Sequence, residues 1–176
     1  SRDIKLIDQK KGYPQNLLGL DQSSFDDLGN KYIDETKWAR SSKPFFIDKM
    51  PNNFVHIGLI KLILPKAKII DARRNPMDTC FSCFKQYFAK GQHFTYDLDD
   101  IARYYKDYVR LMDYWKKLFP EEIFTINYEQ VIENPNDRIR DLLEFCNVKF
   151  EDNCINFHKS KRPVKTASSE QVRQPM

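Results

Sequence analysis

The chain has 176 residues, of which 41% are hydrophobic, 14% aromatic and 31% charged, and its formal net charge is +4. This length and composition predict one folded domain and exclude a disordered chain of low hydrophobicity. The five glycines are never spaced as in a dinucleotide-binding fingerprint or a Walker phosphate loop. No run of about 18 apolar residues and no apolar signal core is present, which predicts a cytoplasmic protein without a membrane span.

The predicted elements alternate between helices and strands. Two short helices are expected in the first 42 residues, one after Tyr13-Pro14 and one after Ser23-Ser24. Apolar residues at helical spacing separate three β-rich runs of strand length. The order is a strand at 45–50, a helix at 54–64, a strand at 68–73, a helix at 77–88, a helix of about six turns from Asp97, a strand at 123–128 and a helix after Asn134-Pro135 that buries Ile139, Leu142, Leu143 and Cys146. This order predicts an α/β fold of three layers, with a parallel sheet covered by helices on both faces.

The four cysteines allow two interpretations. Cys80 and Cys83 have the CxxC spacing of a zinc site, but a second pair of cysteine or histidine ligands is not close in sequence. The neighbouring Phe81 and Phe84 favour cysteines packed in a core. We therefore expect no metal, and a reducing compartment in which the thiols stay free.

Polar residues that follow the predicted strands are candidates for a binding site, because ligands of open α/β sheets bind at the carboxyl ends of the strands. Lys49 stands at the end of the first predicted strand, where it could reach an anion. Arg73 and Arg74 end the second, and Asn75-Pro76 is a good helix start whose free N–H groups favour an anion. Ser82, eight residues after Arg74, could donate to the same phosphate.

The two arginines, and a further candidate, Tyr128, have simpler explanations that the sequence leaves open. The arginines could pair with surface carboxylates such as Asp78. Tyr128, which follows the third predicted strand, could meet a purine base through its ring or hydroxyl, or it could be a core tyrosine with a satisfied hydroxyl.

Four segments carry a resemblance to a known family. They are DKMPNNF (48–54), LILPKAKIIDARRNPMDTCFS (62–82), INYEQVIENP (126–135) and TASSEQVRQP (166–175). In this order they resemble the sulfotransferase family, most closely the bacterial members fused to tetratricopeptide repeats and related to tyrosylprotein sulfotransferases. The resemblance covers roughly residues 13–176.

The resemblance implies a fold related to P-loop kinases and the donor 3′-phosphoadenosine 5′-phosphosulfate (PAPS). It implies that Arg74 and Ser82 bind the 3′-phosphate and that Tyr128 contacts adenine. Lys49 would neutralise charge on the sulfuryl group as the leaving phosphate forms. The resemblance further implies a late loop that folds over the nucleotide, with candidates Thr166, Ser168 and Arg173. The acceptor would be a hydroxyl or amine of a small molecule, carbohydrate or peptide.

This sequence departs from the family pattern at one place. Family members begin with a strand and a loop of the form PRSGTT that holds the 5′-phosphosulfate, and neither that loop nor the base that follows it is found here. The chain is therefore expected to be the C-terminal two-thirds of one catalytic domain, and inactive alone. His56 could replace the base, but its position two helical turns after Lys49 favours a surface histidine.

Two other classes of function remain as alternatives. One is a non-catalytic nucleotide-binding or protein-interaction module that uses the aromatic residues of the long helix, Tyr104, Tyr105, Tyr108, Tyr114 and Trp115. The other is nucleic-acid binding through the basic segment 158–165. The mild, interleaved charge argues against a nucleic-acid partner.

Overall fold

The computed structural model describes residues 12–40, 43–88 and 91–159. They divide into two compact units, the first ending at Ala67 and the second beginning at Lys68. The described residues contain no helix that is long and apolar enough to cross a bilayer.

The first unit is helical. A 3-10 turn, Gln15–Gly19, precedes helix α1 (Gln22–Glu35), so the second expected helix begins before Ser23 and is longer than predicted. It starts there because the Asp21 carboxylate accepts the Ser24 N–H at 2.9 Å. A further 3-10 turn, Pro51–His56, leads into α2 (Ile57–Ile63), as the apolar spacing predicts.

A glycine lets α1 and α2 pack closely, and a buried lysine stabilises the turn after α2. A Cβ atom on Gly29 would lie 2.0 Å from the carbonyl oxygen of Ile63, so the two backbones approach there as only glycine allows. Lys61 is buried, and its Nζ donates to the carbonyl oxygens of Pro65 at 2.6 Å and Ala67 at 3.0 Å. The ammonium group thus satisfies carbonyls in the turn that follows α2.

The strand predicted at 45–50 is wrong: this segment forms no strand. Phe45 is 64% and Ile47 88% exposed, which is not the pattern of a strand buried in a sheet. The segment is held by side chains instead. The Phe46 ring lies 6.5 Å from that of Tyr32 and 5.0 Å from the Arg40 guanidinium. Hydrophobic residues of strand type do not make a strand unless a neighbour supplies the ladder hydrogen bonds.

The second unit contains the sheet. Strands β1 (Ile69–Arg73) and β2 (Ile123–Asn127) are parallel, with Ile69 opposite Ile123 and Arg73 opposite Asn127. Helices α3 (Pro76–Lys85) and α4 (Leu98–Leu118) lie between the strands in sequence, and α5 (Tyr128–Glu133) and α6 (Pro135–Phe145) follow β2. The α/β class and the parallel pairing are confirmed.

One helix end and one burial pattern depart from the predictions. Asp97 caps α4 through the N–H groups of Asp99 and Asp100, and Ile101 and Met112 of its apolar face are buried. However, α3 ends at Lys85 rather than Phe88, because Gln86 adopts an extended backbone. The apolar residues of α6, predicted to be buried, are only half-buried: Ile139, Leu142, Leu143 and Cys146.

A polar cluster around Asp71 joins α4 to the sheet. The Asp71 side chain is 3% exposed and accepts hydrogen bonds from Tyr108 on α4 and, at 3.4 Å, from Thr125 on β2. Its Oδ2 also lies 2.8 Å from Arg73 Nε and 3.3 Å from Lys116 Nζ. Burial and the bond to Asp71 raise the pKa of Tyr108 well above its usual range, so the phenol stays a donor.

Candidate functional site

The carboxyl ends of β1 and β2 bring Arg74 and Tyr128 together. Because Arg73 pairs with Asn127, these two residues are the next ones along adjacent parallel strands. The Arg74 guanidinium carbon lies 5.4 Å from the centre of the Tyr128 ring. Tyr128 is 51% exposed, so it is not a core tyrosine. The pair forms a cation–π contact at the surface of the second unit.

The start of α3 lies beside this pair. The side-chain oxygen of Asn75 accepts the N–H groups of Met77 at 2.9 Å and Asp78 at 3.4 Å, and Pro76 occupies the first helical position. The predicted helix start is confirmed, but its expected free N–H groups are not: the Asn75 side chain already occupies those of Met77 and Asp78. The positive end of a ten-residue helix therefore adjoins the Arg74 guanidinium.

Both arginines pair with carboxylates, as the simpler interpretation proposed, but their surroundings differ. Arg73 is tied to the buried Asp71, with only 18% of its own side chain exposed. Arg74 Nη2 lies 3.2 Å from Asp78 Oδ2, and both side chains are about half exposed. Exposed pairs of this kind contribute about 0–1 kcal/mol. Arg73 is therefore a structural residue, whereas Arg74 can exchange its partner for a ligand.

Ser82 is carried by α3 and is exposed. Within the described part of the chain, no hydrogen bond joins it to Arg74. The three candidates of the late loop, Thr166, Ser168 and Arg173, lie outside the described residues, as does most of the basic segment 158–165.

Lys49 belongs to the first unit, where it is exposed. The residue before it, Asp48, accepts a hydrogen bond from the Tyr32 hydroxyl at 2.6 Å. That bond anchors the segment that carries Lys49 to α1. Burial, followed by the bond to Asp48, raises the pKa of Tyr32 to about 12.

We expect the Tyr32 phenol to titrate near pH 12, rather than near 10 as in an unfolded chain. The pKa of Tyr32 is higher in the folded than in the unfolded chain. The stabilisation from its hydrogen bond to Asp48 is therefore fully present below pH 10 and is lost as the pH rises toward 12. The phenolate absorbance of the native protein, minus that of Tyr32→Phe, measures this group alone. A midpoint near 10 would contradict the structural bond to Asp48.

His56 has a structural partner. Its Nδ1 lies 2.8 Å from the Tyr13 hydroxyl, and the two rings meet edge to face with centres 5.2 Å apart. This contact holds the start of α2 against residues that precede α1. It agrees with the expectation that His56 is not a catalytic base.

Glu129 is a residue of the site that the sequence analysis did not single out. Its Oε1 accepts the backbone N–H of Asn75 at 2.8 Å, although the two residues are 54 positions apart. The Asn75 N–H, followed by the Glu129 N–H and Arg74, lowers the pKa of the carboxyl. The sequence positions could have indicated this contact. Arg73 and Asn127 face each other at the strand ends, and Asn75 and Glu129 each follow two residues later.

The four cysteines lie at the edge of the packed interior rather than in the core that the sequence predicted. Cys80, Cys83, Cys146 and Cys154 are free and half-buried, and burial raises the pKa of the Cys80 and Cys83 thiols. No cluster of three or more potential ligands for a metal ion occurs in the residues that the structure covers.

Comparison with known proteins identifies the family. The model of the sulfotransferase family matches residues 9–152. The chain belongs to the sulfotransferase family. A protein of Aquifex aeolicus (strain VF5) described as uncharacterized is 38% identical over 169 residues, which are 94% of this chain and 22% of the relative. This sulfotransferase-family chain thus spans about a fifth of the length of that relative.

The described residues place an arginine, a helix start and a tyrosine at the carboxyl ends of β1 and β2, without a glycine-rich loop. The arginine beside the helix start and the tyrosine after the next strand are the parts of that arrangement that the structure brings into contact.

Proposed function

We propose that this chain binds PAPS and acts in the transfer of its sulfuryl group to a hydroxyl or amine acceptor. The observation that carries the proposal is the contact between Arg74 and Tyr128 beside the start of α3, in a chain of the sulfotransferase family. The acceptor would belong to a small molecule, a carbohydrate or a peptide. A three-layer fold related to P-loop kinases, and the closer likeness to bacterial and tyrosylprotein enzymes, are part of the same proposal.

The residues of the second unit fit the 3′-phosphoadenosine end of the donor. Arg74 and the positive end of the α3 dipole favour the 3′-phosphate, and Ser82 is the candidate for a further hydrogen bond. The exposed Tyr128 ring offers a surface for adenine. Arg74 must give up Asp78, but an exposed pair costs about 0–1 kcal/mol, less than the roughly 1.5–3 kcal/mol of a charged hydrogen bond.

Lys49 has the proposed catalytic role. The acceptor oxygen or nitrogen forms a bond to sulfur while the bond from sulfur to the bridging phosphate oxygen breaks. That oxygen leaves with the electron pair, and the proton of the acceptor passes to solvent. An ammonium group near the bridging oxygen stabilises the charge that develops there. Positioning and electrostatic stabilisation supply most of the acceleration in such transfers, by analogy with phosphoryl transfer. The loop of Thr166, Ser168 and Arg173 is proposed to close over the nucleotide.

Arg74→Ala should weaken binding of 3′-phosphoadenosine 5′-phosphate (PAP) by about tenfold or more, because a charged hydrogen bond to phosphate is lost. Titration of the labelled protein followed by NMR measures this affinity even where it is weak. Adenosine 5′-phosphate, which lacks the 3′-phosphate, should bind to the native protein more weakly than PAP does. Its affinity should be the same for the native protein and for Arg74→Ala.

Arg103→Ala is the matched control, since Arg103 forms an exposed pair with Asp100 at 3.1 Å on α4 of the same unit. It should leave PAP affinity unchanged. Equal affinity of the native protein for PAP and adenosine 5′-phosphate would contradict the proposed function, and so would an Arg74→Ala variant that binds PAP as tightly as the native protein.

The alternative of a protein-interaction module loses its main support in the structure. Of the five aromatic residues that suggested it, only Tyr114 is exposed, at 55%. The other four are half-buried and belong to the packed face of α4. A nucleotide-binding module without catalysis would show the same response to Arg74→Ala but no sulfuryl transfer.

A further inference from the structure

The hydrogen bond between Glu129 and Asn75 continues the pairing of β1 and β2 beyond the sheet. The ladder ends with Arg73 opposite Asn127. At the next positions the Arg74 guanidinium lies over the Tyr128 ring, and one position further the Glu129 carboxylate accepts the Asn75 N–H. Side chains therefore join the chains after the strands diverge into α3 and α5.

This bond acts on the backbone next to Arg74. Asn75 adopts φ −44° and ψ 129°, and its side chain already caps Met77 and Asp78. With its N–H held by Glu129 at 2.8 Å, Asn75 is fixed on both sides, toward α3 by its side chain and toward α5 by its backbone. The direction in which the Arg74 side chain leaves the strand follows from that backbone. Binding groups keep their geometry when neighbouring hydrogen bonds fix the groups that carry them.

We propose that Glu129 is a positioning residue, whose carboxylate holds Asn75 and so orients the Arg74 guanidinium over Tyr128 to receive the 3′-phosphate of the donor. The inference rests on the proposed function, because the ligand is the one proposed there. Glu129 does not itself contact that phosphate.

The charge of Glu129 opposes this role, which makes the proposal testable. Asp78 and Glu129 place two carboxylates near Arg74, and both would repel a phosphate. If charge dominated, removing it would strengthen PAP binding. If the hydrogen bond dominates, PAP affinity depends on the length of the side chain and on an acceptor oxygen at its end, and not on the charge.

Two variants separate these effects. Glu129→Gln keeps the side-chain length and an acceptor oxygen but removes the charge. Glu129→Asp keeps the charge but is one methylene shorter, so its carboxylate no longer reaches the Asn75 N–H that Glu129 holds at 2.8 Å. We expect Glu129→Gln to bind PAP within about threefold of the native protein, and Glu129→Asp to bind about tenfold more weakly. Binding of adenosine 5′-phosphate should be the same in all three, and Glu133→Ala, which removes a charge from the same helix, should bind PAP normally.

Two binding results would overturn the inference: Glu129→Asp binding PAP like the native protein, or Glu129→Asp losing PAP and adenosine 5′-phosphate equally. The hydrogen bond between Glu129 and Asn75 can also be tested without ligand, by hydrogen exchange of the Asn75 amide. That exchange should be faster in Glu129→Asp than in the native protein and Glu129→Gln, and equal exchange in all three would reject the inference. A native protein that does not distinguish the two nucleotides would instead reject the proposed function, while the exchange experiment still decides the role of Glu129.

Discussion

Asp71→Asn should lower the free energy of unfolding by about 3 kcal/mol. The native carboxylate is buried and faces two cations, Arg73 and Lys116, which the neutral amide leaves uncompensated. Removing one partner of a buried ion pair costs about 3–5 kcal/mol, and we expect the lower end because both cations retain some contact with solvent. Tyr108 keeps an acceptor in the amide oxygen, so its hydrogen bond does not add to the loss.

Denaturant unfolding followed by the fluorescence of Trp115 measures this change, in a Trp38→Phe background so that only the second unit reports. Asp107→Asn is the control, because Asp107 forms an exposed pair with Arg110 on the same helix α4. It should change the free energy of unfolding by less than about 0.5 kcal/mol. A loss of less than about 1 kcal/mol in Asp71→Asn would mean that the cluster does not hold α4 to the sheet.

Gly29→Ala should destabilise the first unit by about 2 kcal/mol. Alanine is the better helix former by up to about 1 kcal/mol, so an exposed glycine on α1 would gain stability from this change. Here the new Cβ would lie 2.0 Å from the backbone oxygen of Ile63, and α2 must move away to relieve the overlap. Overpacking of this kind typically costs about 1–3 kcal/mol, which outweighs the helix propensity.

Hydrogen exchange of the α1 and α2 amides, together with thermal unfolding, measures the effect where it arises. Gly19→Ala is the matched control in the same unit, since a Cβ there meets nothing within 4 Å. Its exchange rates should match those of the native protein. Faster exchange in both variants, or in neither, would show that the approach of α1 to α2 does not limit stability.

Much of the second unit could be predicted because its signals are local. The Asn75-Pro76 and Asp97 helix starts depend on residues within three positions, and the structure shows both. The alternation of strands and helices was enough to predict the parallel pairing of β1 and β2. The resemblance to sulfotransferases, carried by short segments, was confirmed as family membership over residues 9–152.

The first unit was harder to predict because its decisive contacts are distant in sequence. Residues 45–50 have the composition of a strand, but a strand exists only where a partner is present. The approach of Gly29 to Ile63 joins two helices, and no local pattern encodes it. From sequence, a single lysine in an apolar helix is predicted to lie at the surface. In the structure Lys61 is buried, because the turn that follows α2 places two carbonyl oxygens around its ammonium group.

The sequence by itself determined the family, the helix starts, the parallel α/β class and the set of polar residues that follow the strands. The family resemblance pointed to Arg74 rather than Arg73, but only the tertiary structure shows why the two adjacent arginines differ. Successive side chains of a strand point to opposite faces, so Arg73 shares a face with Asp71 and is held by it, whereas Arg74 reaches Tyr128 at the surface. The same geometry brought Glu129 to Asn75 across 54 residues, because the register of two parallel strands sets which residues meet beyond their ends.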